Sequence, residues 1–366
     1  MDYEKLLRLM AEKGASDLYI TVGAPPHMKI EGSMHPVGDK KLSPAAVELL
    51  AVSMTNAKQK EMFEADLELD FAIPMSGVGR FRVNMFKQRN EAAMVIRYIT
   101  GNIPPLEDLH LPSVLKQLIM KPRGLVLVVG SAGAGKSTTL ASMINYRNEI
   151  SAGHILTIED PIEYIHKHKK SLINQREVGM DTHSFTAALK RALREAPDVI
   201  MIGEIRDLET MEMAIAYAES GHLCISTLHA NNAHQTLDRI MSFFPDSSYE
   251  QLYMDLSMNL QGIISQRLLM GVDGARIPAV EVLLNTPHVK ELIREGDING
   301  VDKAMSTDQT SGADKGMSTF EQSLYNLYVG GKITEKEALD HADSRNDLSL
   351  KIRMSGKASK AHVESF

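Results

Sequence analysis

The sequence predicts an α/β protein: a mostly parallel sheet with helices on its faces, preceded by a smaller α+β unit. Three observations predict it. An apolar run at residues 125–129 passes through a glycine-rich loop into a helix-compatible segment at 139–148. From there, short apolar runs alternate with stretches of helical period, as a parallel sheet with crossover helices requires. Residues 1–99 follow a different rule, with short strands and turns close together and a few helices among them.

Bulk properties narrow the function. At 366 residues the chain has room for two cores, and 43% hydrophobic with 24% charged residues is ordinary for a globular protein. A net charge of −7 gives no general attraction to nucleic acid or anionic membrane. The single cysteine, Cys224, excludes an intramolecular disulfide and a Cys-rich zinc site. Between Leu223 and Ile225 it is expected to be a buried strand residue, and one cysteine suits a reducing cytosol. No apolar run approaches the roughly 20 residues that span a bilayer, and the first residues carry no signal peptide. A cytoplasmic protein without direct membrane insertion is expected, held at a membrane only by partners.

In chain order, residues 2–13 read as an amphipathic helix with Leu6, Leu7 and Met10 on one side. Residues 16–22 and 27–30 read as strands of a hairpin around the turn at Gly23-Ala-Pro-Pro26. Ser43-Pro44 starts a helix, Ser capping and Pro filling the first turn, and another runs through 57–63. Strands return at 67–73, 79–86 and 92–99, which closes a domain at 1–99. The segment 100–112, rich in proline at its start, is the expected linker. The core then spans 113–296, with strands at 125–129, 154–158, 199–202 and 223–226. Phe185, Ala188, Leu189, Ala192 and Leu193 define one face of a helix over 184–195, and Gly221 ends another over 208–220. Beyond Arg267 the pattern thins: a strand at 278–284, a helix at 287–294, a flexible polar loop at 299–317, helices at 318–328 and 334–340, and a frayed tail from 353. The last division is thus 297–366.

The loop itself is Gly130-Ser131-Ala132-Gly133-Ala134-Gly135-Lys136-Ser137-Thr138. Its glycines let successive backbone N–H groups converge on a phosphate, Lys136 adds charge for the β- and γ-phosphates, and Ser137 offers a hydroxyl to Mg²⁺. The helix after it points its positive end at the same anion. This is a nucleoside triphosphate site. In such a sheet, ligands sit beyond the carboxyl ends of the strands, so the residues just past each apolar run are diagnostic. There stand Glu159-Asp160-Pro-Ile-Glu163, Gly203-Glu204-Ile-Arg206-Asp207 and Thr227-Leu-His229-Ala-Asn231-Asn232. The second run departs from the usual pattern, in which the strand ends in an Asp that helps hold Mg²⁺. Here the position is Gly203, so the metal rests on Ser137 and on Glu204, directly or through water.

In this order, these motifs resemble the secretion ATPase superfamily of hexameric motors. Within it the chain resembles the type IV pilus retraction ATPases of PilT and PilU type, the PilU branch more than the other, over nearly its whole length. The resemblance implies a RecA-like P-loop ATPase domain behind a PAS-like domain, with ATP and Mg²⁺ bound in a homohexamer. It makes Glu163 the base that orients the attacking water, Glu204 the second-motif carboxylate near Mg²⁺, and His222 and His229 the histidine box, with His229 sensing the γ-phosphate. Arg80, Arg82 and Arg97 match the family's arginine segment. Arg80 and Arg82 alternate with Phe81 and Val83 along one strand, which by itself describes solvent-facing arginines as well as arginine fingers. The resemblance also implies an inner-membrane platform protein as partner at the inner face of the membrane. The extra N-terminal domain and tetracysteine motif of assembly ATPases are missing, which points to retraction. At residues 288–295 the Ala-Ile-Arg-Asn-type motif of retraction ATPases is replaced by His-Val-Lys-Glu-Leu-Ile-Arg-Glu. That departure points to an accessory motor beside a primary retraction ATPase. Two rivals remain: a nucleic-acid-translocating hexamer on the same fold, disfavoured by the acidic balance, and an ATP-binding ring subunit that scaffolds another motor.

Overall fold

A computed structural model describes residues 2–99, 101–307 and 316–354. The chain forms two compact units, the first taking in residues up to Asn102 together with Glu163–Ile165, the second Ile103–Ile162 and the residues from His166 on. Residues 103–112, expected as linker, count with the second unit. Leu106 is buried in its core, and the Pro104 carbonyl accepts a hydrogen bond from Ser142.

In the first unit the order is α1 (Tyr3–Glu12), β1 (Asp17–Ile20), β2 (His27–Ile30), β3 (Ser33–Pro36), α2 (Pro44–Met54), α3 (Ala57–Asp66), β4 (Glu68–Met75), β5 (Gly79–Gln88) and β6 (Glu91–Ile99). The six strands form one antiparallel sheet in the order β3-β2-β1-β6-β5-β4. Alternation along β5 decides which face is covered. Phe81, Val83 and Met85 are buried with Leu7, Met10 and Leu50 of the helices, which leaves Arg80, Arg82 and Asn84 on the opposite face.

The second unit runs α4 (Val114–Ile119), β7 (Gly124–Val129), α5 (Lys136–Ile150), β8 (Gly153–Glu159), β9 (Ser171–Glu177), α6 (Phe185–Ala192), β10 (Val199–Ile202), α7 (Leu208–Glu219), β11 (Leu223–Leu228), α8 (Ala233–Met241), α9 (Tyr249–Asn259), β12 (Leu260–Met270), β13 (Arg276–Leu284), α10 (Pro287–Glu295), α11 (Ile298–Thr307), α12 (Phe320–Val329), α13 (Glu335–Asp340) and α14 (Arg345–Met354). Its seven-stranded sheet has the order β13-β12-β7-β11-β10-β8-β9, parallel except for the pairing of β13 with β12. A central strand covered on both faces must be apolar throughout, and β7 is. Leu125, Leu127 and Val129 join the core beneath α7 and α8, while Val126 and Val128 join that beneath α4 and α5.

Three strands escape the sequence pattern. β3 is short and exposed throughout, β9 is an edge strand with polar residues at five of its seven positions, and β12 comes straight after α9 with no glycine or proline between them. The flexible loop expected over 299–317 is corrected where the structure describes it: Ile298–Thr307 is the helix α11. Ile298, Val301, Ala304 and Met305 bury one of its faces in the core, a helical spacing that the surrounding polar residues hide. Residues 308–315 and 355–366 lie outside the described residues, and Arg353 and Met354, expected in the tail, are the last residues of α14, in which Leu348 and Ile352 are buried.

Candidate active site

The phosphate loop joins β7 to α5, and its glycines are there for two different reasons. Gly130 (φ +149°) and Gly135 (φ +91°) adopt backbone that favours glycine, and both lie against β12. A Cβ on Gly130 would stand 2.4 Å from the Gln266 carbonyl, and one on Gly135 would stand 2.8 Å from the Gln266 amide nitrogen. Gly133 (φ +78°) meets nothing, so the turn alone selects it. Gln266 is itself buried and accepts a hydrogen bond from Thr139 of α5 at 2.8 Å, so one side chain braces the loop at its helix end. Lys136 Nζ donates to the Gly130 and Ser131 carbonyls at 2.8 and 3.0 Å, which curls the loop around its own cation. Ser137 comes next in the first turn of α5, at the positive end of a helix of 15 residues.

Opposite the loop, β11 ends in the segment that carries His229. His229 Nε2 lies 2.8 Å from one Glu204 oxygen. Arg206 Nε donates to the other at 2.6 Å and reaches Asp160 at 3.5 Å through a second nitrogen. Both oxygens of Glu204 are therefore engaged. The Arg206 guanidinium, hydrogen-bonded to Glu204, is held above its ordinary pKa. Gly130, Ser131, His229, Ala230 and Asn231, with Gln235 and Arg239 of α8, line one cleft of about 270 Å³. Gln235 and Arg239 were not legible in the sequence; their i, i+4 spacing on α8 is the signal that points both at the cleft.

Gly203, where the usual motif carries an aspartate, is tightly packed. A Cβ on Gly203 would stand 3.2 Å from both the Glu159 Cα and the Ile158 carbonyl, because the end of β8 passes directly beside it. The acidic residue stands one position on, at Glu204. Glu159, the last residue of β8, is buried and turned inward, accepting from Thr157 at 2.6 Å and Gln175 at 3.1 Å.

Known proteins resemble the chain over most of its length. The family described as type II/IV secretion system protein matches residues 2–276. The chain is 52% identical over 369 residues to the type IV pilus ATPase PilU of Pseudomonas aeruginosa, covering 100% of this chain and 95% of that protein. It is 42% identical over 342 residues to the type IV pilus retraction ATPase PilT of the same organism, covering 93% and 98% respectively.

The chain belongs to the type II/IV secretion system protein family.

A crystal structure of the pilus retraction motor PilT with bound ADP superposes with a TM-score of 0.89 at 42% identity, covering 96% of this chain and 99% of that one. The second unit of this family member is accordingly a nucleotide-binding P-loop ATPase fold. Its histidines, however, part company. His222 sits at the start of β11, where its carbonyl accepts from Gly124 at the start of β7, while the phosphate loop leaves the other end of β7. Six residues of strand, about 20 Å, separate His222 from that loop. His222 instead lies edge-on to Tyr217 and bonds Ser220.

The remaining residues predicted from sequence fall in the first unit. Arg82 and Arg97 face each other across β5 and β6. Arg97 Nε donates to the buried Asp17 at 2.8 Å, and Arg82 lies 3.7 Å from Asp70. Arg80 shares their sheet face two residues before Arg82. Glu163 is exposed and belongs to this unit through the short segment Glu163–Ile165.

Among the described residues no group of three or more His, Cys, Asp or Glu is arranged to hold an ion. Mg²⁺ in nucleotide sites takes few protein ligands and keeps waters and phosphate oxygens. The Ser137 hydroxyl fits that donor set, and Glu204 fits it by way of water. Among the described residues no helix is long and apolar enough to cross a membrane.

Proposed function

We propose that this chain is a Mg²⁺-dependent, homohexameric ATPase that powers type IV pilus retraction as an accessory motor. Its partners are a primary retraction ATPase and an inner-membrane platform protein, and it works at the inner face of the cell membrane. One observation carries the reading: Gly130 and Ser131, whose carbonyls Lys136 holds, line one cleft with His229, the partner of Glu204, in a chain alike over its whole length to pilus ATPases.

The chemistry is in-line attack of water on the γ-phosphate. The backbone of 130–136 and Lys136 hold the β- and γ-phosphates, and His229 reads the γ-phosphate from its place beside Glu204. Glu163 orients the water. Arg80, Arg82 and Arg97 brace the charge that develops, a role worth about 10³–10⁵ in rate where such arginines are essential. Ser137 would hold Mg²⁺, with Glu204 reaching it by way of water, and the ion would supply positive charge to the phosphates. The replaced motif at 288–295, which forms α10 with Val289 and Ile293 buried, supports the accessory role.

The test is phosphate release by the purified protein at its measured oligomeric mass, beside Lys136→Ala and Glu163→Ala. Turnover confined to a hexamer-sized fraction and abolished by both substitutions supports the reading. ATP binding without turnover in any oligomer sinks it in favour of a scaffold, and DNA-stimulated turnover sinks it in favour of a translocase.

A further inference from the structure

Adjacent residues of a strand point to opposite faces of the sheet, and at Gln266-Arg267 this puts two loops within reach of one short stretch of β12. Gln266 braces the phosphate loop through Thr139. Arg267 points the other way. It donates to the His341 carbonyl at 2.5 Å and to Asp343 at 2.6 Å, and its guanidinium lies 3.8 Å from the centre of the Phe320 ring. It also donates to the carbonyl of Asn231, at 3.4 Å, in the cleft-lining segment that carries His229. The same face of the sheet supports that segment a second time. Glu281, directly opposite Ser265 across β12 and β13, accepts from the Ala233 backbone N–H at 2.8 Å and from the Ser265 hydroxyl at 3.1 Å.

The far end of this connection is itself tied down. Glu321 of α12 accepts from the N–H groups of Asp343 and Ser344, and Glu337 of α13 accepts from that of Met270. Phe320, Leu324, Ala338, Leu348 and Ile352 pack with Leu269 and Ala279 into one apolar cluster. The Asn231 carbonyl is thus joined, by one long bond, to a rigid planar fork that two shorter bonds hold to the segment packed with α12–α14.

We propose that Arg267 is a positioning residue that ties the His229–Asn232 segment to the C-terminal helices, so that nucleotide in the cleft is felt at α12–α14. The inference rests on the ATPase reading and assigns the route by which that site reaches the rest of the unit. A chain of contacts is a physical path only if occupancy of one end changes the other, and that is measurable.

The experiment is amide hydrogen exchange on the full-length protein with and without AMP-PNP, for the wild type, Arg267→Gln and Asp343→Asn, together with steady-state turnover. In the wild type, nucleotide is expected to slow exchange over 131–138, 229–233 and 341–344, the last by about fivefold, at the lower end of ordinary coupling. In Arg267→Gln the slowing over 131–138 persists and that over 341–344 is lost. Its kcat falls about tenfold while KM moves less than about threefold, since the phosphate loop is untouched. A merely structural role would lower stability without that division. Asp343→Asn removes the charge of a half-exposed partner and no core atom, so it keeps the test alive if Arg267→Gln does not fold, and its response over 341–344 is reduced rather than lost, since the His341 carbonyl bond remains. An undiminished response in either folded variant, or its absence from a wild type that protects 131–138, overturns the inference. A wild type with no protection over 131–138 overturns the nucleotide reading itself.

Discussion

Glu281 offers a perturbation whose size can be worked from the structure. Its carboxyl is buried against the start of α8, and burial pushes its pKa from 4.5 up to about 7. The bonds from Ala233 and Ser265 pull the other way, while Asp343 and Asp302 add to the rise. The folded chain therefore keeps this proton up to about pH 7, whereas the unfolded chain gives it up near 4.5. Between those values the folded state binds more protons. The contribution of Glu281 to stability is thus full below about 4.5 and is lost as pH rises through 7. At about 1.36 kcal/mol per pH unit, the loss is about 3 kcal/mol. Glu281→Gln keeps the shape and the acceptor for Ala233 and Ser265 but has no proton to lose. The variant is expected to match the wild type near pH 5 and to exceed it by about 1–3 kcal/mol at pH 8, discounting the lost charge-assisted bonds. For the unit's urea transition that is a midpoint shift of up to about 1 M at pH 8. Midpoints at the two pH values, read by circular dichroism, check it. Equal pH dependence in the two proteins would refute the argument, because it would mean that Glu281 is ionised in the folded state without penalty.

Two further outcomes come from the same packing. Gly203→Asp, which restores the usual acidic residue, is expected to weaken rather than improve the enzyme, since its Cβ would press on Glu159 Cα and the Ile158 carbonyl at 3.2 Å. A stability loss of about 1–3 kcal/mol by thermal unfolding, with no gain in apparent Mg²⁺ affinity, is the expected result. Cys224 is wholly buried, and burial pushes its thiol up to about 12. It should resist a thiol-specific reagent at pH 8 in the native protein and react at once in denaturant.

The site was legible to the extent that its chemistry is local in sequence. Phosphate binding needs consecutive N–H groups, a lysine and a helix start, and 130–138 supplies all of them in one stretch. Gln266 and Arg267 were not legible, because a buried amide and an arginine in an unremarked strand acquire meaning only from the groups across the sheet. Likewise α11 was hidden by the polar residues that make up half of it, since four buried positions in ten residues suffice to hold a helix on a core that already exists.

The sequence by itself determined that an α/β unit presents a phosphate loop at the end of an apolar strand, because periodicity and glycine placement are properties of neighbouring residues. It determined too that Arg80 and Arg82 share a face, which the pleat alone requires. Only the tertiary structure decided which polar residues meet. It turned Glu159 inward, set Glu204 between His229 and Arg206, and placed His222 a strand's length from the phosphate loop. Those outcomes depend on register between strands that are far apart in the chain, and register is settled by how the whole core packs rather than by any one segment.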